Sequence, residues 1–240
     1  MALKYQRILL KLSGEALKGR EAFGYDMESV RNIAMRIKNA ADTGCEIALV
    51  VGAGNIWRGA RCSEMDRVEA DSMGMLATVM NAICLANSLN SCGISAVVQS
   101  AVPMEPIASG FDRQAAIRAL ESGKIGIFAA GTGSPFFTTD TTSALRALET
   151  DCQVLLKATK VDGVYSADPF RDPSARRFES VTYDDAMSMK LGVMDQAAFS
   201  LCRDNGLPIV VFNFSDPRSL ERVLAGDLGA GTLVGAEATR

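Results

Sequence analysis

Histidine is absent from the 240-residue sequence. Without imidazole, Ser-His-Asp and Cys-His catalysis are excluded, and the commonest zinc ligand is missing. A metal, if used, is then a hard ion on carboxylates and phosphate oxygens. There is no run of basic residues and the net charge is −3, so nucleic acid has little electrostatic reason to bind. Residues 68–112 contain no Lys or Arg at all. The six cysteines, Cys45, Cys62, Cys84, Cys92, Cys152 and Cys202, form no C-x-x-C pair and lie in apolar or small-residue surroundings. They read as buried, reduced thiols of a cytosolic protein. The N-terminal residues show no h-region or cleavage site, and the longest apolar runs are too short or too interrupted to cross a bilayer. A soluble, intracellular protein without membrane contact is expected. Two phosphate-binding signatures are also missing. G-x-x-x-x-G-K-[ST] does not occur, and the turn at Gly52-Ala53-Gly54-Asn55 fails G-x-G-x-x-G because Trp57 takes the third glycine's place.

What is present fits one α/β domain spanning the chain, since apolar residues at 48% suffice for a full core. The apolar run at residues 125–130, the turn Gly131 to Asp140 and the amphipathic run at 141–148 read as strand, turn and helix. Ligands sit at such turns in open α/β sheets. Glycines let the backbone approach a ligand, and Thr138, Thr139 and the helix N-terminus can hold an anion. Asp140 either caps the helix or orients a cation. Phe136 and Phe137 are costly to expose unless they pack on something planar or apolar.

Earlier in the chain, Arg7-Ile8-Leu9-Leu10-Lys11-Leu12 is a buried strand ending at Ser13-Gly14. A lysine there is expensive unless it reaches a partner, and beside a glycine turn it points to a phosphate. Asp26 caps a helix, residues 46–51 form a second strand, and Arg58 after the glycine turn can clamp phosphate in a bidentate way. Residues 73–89 form a helix that is apolar nearly all round. Met73, Leu76, Val79, Met80 and Ile83 have little polar relief there, which argues burial by a second subunit. Strands at 95–99, from 154 through Lys157, at 208–212 and at 232–234 alternate with helices after Asp112 and at 183–190, 195–205 and 217–225. That order predicts a three-layer αβα sandwich with a mostly parallel sheet. Lys157, Thr159, Lys160, Asp162 and Tyr165 gather cations, acceptors and a ring as a purine nucleotide requires. Asp168-Pro169 alone reads as a turn.

Lys11-Leu12-Ser13-Gly14, the 52–59 loop, Asp71-Ser72-Met73-Gly74-Met75-Leu76-Ala77-Thr78, the 132–140 stretch and Lys157-Ala158-Thr159-Lys160-Val161-Asp162-Gly163-Val164-Tyr165 together resemble the bacterial uridylate kinases of the amino acid kinase superfamily, over residues 7–232. The resemblance implies an amino acid kinase-like fold and Mg²⁺-dependent transfer of the ATP γ-phosphoryl to UMP, giving UDP for pyrimidine nucleotide biosynthesis. It also implies a cytoplasmic homohexamer built from dimers, inhibited by UTP and often activated by GTP. Carried over, Lys11, Leu12, Ser13 and Gly14 face the transferring phosphates, with Gly54 and Arg58 on the ATP side. Ala53 and Asp71 contact UMP, and Thr132, Gly133, Ser134, Pro135, Phe136, Phe137, Thr138 and Thr139 wrap it. Thr159, Tyr165 and Asp168 line the ATP base and ribose. Lys11, Arg58 and Asp140 are the expected catalytic set; Mg²⁺ is carried by the nucleotide, with no metal site of the protein's own. The sequence departs at Ala53, where the family commonly has a third glycine, and at Ser72, where many members have histidine. A superfamily kinase for an amino acid or carbamate, or a nucleotide sensor without turnover, are the alternatives. With no basic residue in 68–112, GTP is expected to activate weakly or not at all.

Overall fold

The chain alternates strands and helices: β1 (Arg7–Leu12), a 3₁₀ turn (Gly14–Lys18), α1 (Met27–Ala41), β2 (Glu46–Val51), α2 (Arg67–Ser91), β3 (Ala96–Ser100), β4 (Ser109–Gly110), α3 (Arg113–Glu121), β5 (Ile125–Ala129), α4 (Thr139–Glu149), β6 (Val154–Thr159), β7 (Ser180–Thr182), α5 (Tyr183–Ser188), α6 (Gln196–Asp204), β8 (Ile209–Asn213), α7 (Ser219–Leu224) and β9 (Gly231–Gly235). These come from a computed structural model that describes residues 3–58, 64–192 and 194–235, the Leu228 side chain excepted. Gly59 and Cys62 lie outside the described residues.

The strands form one sheet in the order β4-β3-β5-β2-β1-β6-β8-β9-β7. Every pairing is parallel except β8 with β9. The expected mostly parallel three-layer sandwich is what forms. Strand parity sorts the core. Ile8, Leu10 and Leu12 of β1 pack with α1, α2 and α7 on one face, while Leu9 packs with residues of α3, α4 and α6 on the other. Lys11 shares the parity of Leu9, so it emerges on the α4 side. The chain leaves β1 for β2 on one flank and returns as β6 on the other, so the ends of β1 and β6 form a switch-point crevice where ligands bind.

The structure departs from expectation chiefly at α2. At 25 residues α2 is longer than the 73–89 run expected, and by length and composition alone it would pass for a membrane span, as a core helix also does; half of that window is buried inside the protein. Its apolar surroundings are also two-sided. Val79, expected among the interface residues, is only 4% exposed and belongs to the core, whereas Met73, Leu76, Met80 and Ile83 are 40–53% exposed. The two short strands β4 and β7 carry too few residues to show a period. Cys45, Cys152 and Cys202 are buried free thiols and burial pushes each up to about 12; Cys84 and Cys92 are half-buried.

Candidate active site

The parallel register sets Lys11 of β1 directly beside Lys157 of β6. On a face otherwise filled by aliphatic residues, two neighbouring ammonium groups require an anion. α4 supplies it. Thr138 caps that helix by accepting from Asp140 N at 3.0 Å, which leaves the Asp140 carboxylate turned to the sheet. Asp140 Oδ1 lies 2.9 Å from Lys11 Nζ, and Oδ2 accepts from Lys157 Nζ at 2.7 Å. All three side chains are 13–15% exposed. Burial drives the Asp140 carboxyl up, but Lys11 and then Lys157 outweigh it and hold it below the usual carboxylate range. Lys157 is lowered from the usual lysine value, by burial first and also by Lys11, with Asp140 opposing both.

The N-terminus of α4 is braced from α6. Asp195, which caps α6 by accepting from Ala198 N at 2.9 Å, also accepts from Thr138 Oγ1 and, at 2.9 and 3.0 Å, from Thr141 Oγ1.

The glycine loop is fitted against β1 by close backbone contact. A Cβ on Gly14 would come within 2.3 Å of the Gly52 carbonyl oxygen and 2.6 Å of Asn55 Oδ1, so no side chain fits there. Beneath the loop, Asn55 and Asn81 exchange amide hydrogen bonds of 3.0 and 2.7 Å, and Asn81 Nδ2 also donates to Gly52 O at 2.7 Å. Trp57 Nε1 donates to Ala70 O at 2.8 Å, tying the loop to α2. Ser13 Oγ accepts from Glu15 N and so caps the 3₁₀ turn, while the Leu12 side chain is in the core and offers only its backbone. Arg58 pairs with Glu15 and donates to Gly54 O at 3.4 Å, apart from the Lys11–Asp140–Lys157 group.

Three cavities lie around that group. One, of about 120 Å³, brings Ala53, Asp71, Gly74, Thr132, Ser134, Phe137, Thr138 and Thr139 to a common wall. Asp71 Oδ2 accepts from Phe136 N and Arg67 Nε, both at 2.8 Å, which fastens the 131–138 turn to α2. Phe136 takes a positive φ of 71° and its ring is 63% exposed, as Phe137 is at 52%. The Gly133, Pro135 and Phe136 side of the turn does not line the cavity. Ala53 has no positive φ, so the alanine is accommodated without strain, and Ser72 Oγ donates within its own helix to Val68 O.

A second, of about 420 Å³, is lined by Lys157, Thr159, Tyr165 and Asp168 among others. Tyr165 OH donates to Asp162 Oδ1 at 2.6 Å, a bond that, with some burial, raises the phenol above its ordinary value. Asp168 accepts from Phe170 N at 3.0 Å, the turn its Pro169 neighbour foretells. A third cavity of about 550 Å³ opens toward α1, with Lys11, Ser13, Glu15, Lys157 and Lys160 on its wall.

Among the described residues no cluster of three His, Cys, Asp or Glu could hold a metal ion. Asp140 is already engaged by two lysines. The sequence placed Lys157 among the groups around a purine nucleotide rather than beside Lys11, and it gave no role to Glu15 or Asp195. For Lys157 a signal existed, a second lysine in a buried strand; a helix-capping aspartate such as Asp195 carries none.

The family model for the amino acid kinase family matches residues 6–213. A uridylate kinase of Ectopseudomonas mendocina is 51% identical over 98% of this chain and 96% of its own, and one of Pseudomonas fluorescens is 51% identical over 96% and 94%. Among solved structures, UMP kinase from Bacillus anthracis superimposes with a TM-score of 0.94 at 38% identity, covering 98% of this chain and 97% of that one. UMP kinase from Ureaplasma parvum gives 0.90 at 36% identity, covering 97% and 100%. Matched over nearly its whole length in sequence and fold, the chain belongs to the amino acid kinase family, as a kinase of its uridylate kinase branch.

Proposed function

We propose that this chain, acting as one domain, transfers the γ-phosphoryl group of ATP to UMP. The observation that carries this reading is the position of the Lys11–Asp140–Lys157 group. Asp140 follows directly on Thr138 and Thr139 of the 120 Å³ cavity, and Lys157 lines the one with Tyr165 and Asp168, so the charged group stands between two places for ligands. UMP is assigned to the cavity with Ala53, Asp71 and the residue 132–139 turn, and ATP to the one with Thr159, Tyr165 and Asp168, its phosphates reaching residues 11–14, Gly54 and Arg58.

Phosphoryl transfer to a phosphate acceptor needs no strong base, because the acceptor is already an anion. It needs charge neutralisation and alignment, and these residues supply both. Lys11 and Lys157 face the equatorial oxygens of the moving group, Asp140 keeps the two ammonium groups from separating, and the α4 N-terminus adds its free N–H groups. Asp195 holds that helix end in place through Thr138 and Thr141. Mg²⁺, carried on the nucleotide phosphates, would neutralise further charge on them. UTP fits the UMP cavity by its base and ribose and acts as an inhibitor there. The exposed stripe of Met73, Leu76, Met80 and Ile83 supports assembly through α2, as a hexamer built from dimers in the cytoplasm.

A coupled assay for ADP release, with UMP, CMP and dTMP compared, tests the reading. ADP formation that depends on UMP and exceeds that with the other two is expected. ADP formation indifferent to UMP would sink it.

A further inference from the structure

Glu15 is the second residue of the 3₁₀ turn, directly after the Lys11-Leu12-Ser13-Gly14 run, and its carboxylate lies between cations from two other segments. Arg58 of the glycine loop pairs with Oε1, and Lys160, just beyond β6, stands 3.8 Å from Oε2. The Glu15 side chain is 25% exposed, and Ser13 Oγ caps the turn that carries it by accepting from its backbone N–H. The loop closes tightly on it: a Cβ on Gly54 would lie 3.3 Å from Glu15 Cγ. A fixed carboxylate beside a polyphosphate site opposes binding by like-charge repulsion. Here it occupies the same cations that the polyphosphate needs. That arrangement gives each cation an anionic partner whether the site is empty or filled.

We infer that Glu15 is a positioning residue that holds Arg58 and Lys160 over the phosphate site, competes with the nucleotide for them and takes them back as the nucleotide leaves. The inference rests on the assignment of residues 11–14 and Arg58 to the ATP phosphates. No covalent step is involved; one ion pair is exchanged for another. Arg58 is 37% exposed, so the exchange swaps one partly solvated pair for another, and a carboxylate at hand favours departure of the product.

Glu15→Gln keeps the shape and removes the charge. Titration calorimetry of the intact enzyme with ADP, which allows no turnover, reads the exchange directly. ADP affinity should rise about fivefold, the scale of one partly exposed ion pair, while UMP affinity stays unchanged. Glu15→Asp, which keeps the charge, should gain less. A gain in affinity is not a result that a damaged fold produces. In an Arg58→Gln background the Glu15→Gln gain should shrink, since the two act through one contact. If Arg58→Gln weakens ADP binding but Glu15→Gln leaves it unchanged or weaker, the inference about Glu15 is wrong and the ATP-side assignment stands. If Arg58→Gln leaves ADP binding untouched, the assignment itself fails and the inference with it.

Discussion

Asp140→Asn takes the carboxylate from between two ammonium groups that the β1–β6 register holds side by side. Burial already depresses Lys157, and Asp140 is the chief group opposing that. Removing one partner of a buried ion pair costs about 3–5 kcal/mol. The loss has a ceiling, because one lysine can shed its proton: bringing a lysine of ordinary pKa to neutrality near pH 7.5 costs about 4 kcal/mol. The expected destabilisation is therefore about 3–4 kcal/mol, and at about 2–4 °C per kcal/mol for a chain of this size the melting point falls by about 10 °C. The pH dependence has a definite sign. A lysine depressed in the folded state leaves the unfolded chain binding more protons, so the variant regains stability as pH rises from about 7 toward about 10. In the wild type, the depressed Asp140 carboxyl contributes in full above the ordinary carboxylate value, and the contribution is lost only as pH falls through its lower folded value. ATP brings anionic oxygens to the same lysines, so it should raise the melting point of the variant by more than that of the wild type. Turnover should drop at least about a hundredfold. Scanning fluorimetry across pH, with and without ATP, and the coupled assay read all of this. A variant with wild-type melting, wild-type response to ATP and turnover within about tenfold would refute the reasoning.

Met80→Asp should dissociate the assembly while the monomer stays folded, because Met80 is 52% exposed on the outer side of α2; sedimentation of an unchanged assembly would count against an α2 interface. Val79→Asp should instead unfold the chain, since that side chain is in the core. Asp71→Asn should raise the UMP requirement far more than the ATP requirement; an equal effect on both would mean that Asp71 serves only to fasten the turn through Phe136 and Arg67. UTP should inhibit competitively with UMP, and GTP should activate weakly or not at all; saturable GTP activation at limiting UMP and low salt would show a basic effector site outside residues 68–112.

The sheet and its helices were legible because each buried strand is a continuous apolar run and each longer helix begins at a capping Asp or Thr, as at Asp26, Asp112 and Thr138. Lys11 and Asp140 stood out for a similar reason, a charge where the pattern calls for an apolar or capping residue. Their meeting did not, because the register that pairs Lys11 with Lys157 joins positions far apart in the chain. Asp195 reaches Thr138 across 57 residues, and only the fold brings the two together. On α2 the outward direction was read correctly for Met73, Leu76, Met80 and Ile83 and wrongly for Val79 alone. Val79 and Met80 are adjacent and both apolar, yet one faces the core and the other the outside, which composition without a polar face could not decide.

That direction is set by the amide pair beneath the glycine loop. Asn81 is fully buried, and among the described residues its amide is satisfied by Asn55 and Gly52. Turning α2 by a single residue, about 100°, would carry that amide into hydrocarbon with its hydrogen bonds unmade, at a cost of several kcal/mol. The pair therefore acts as an index mark for the helix: it admits one rotational setting, and that setting presents Leu76 and Met80 outward. A contact made on the inner side of the molecule thus decides which side chains a neighbouring subunit would meet.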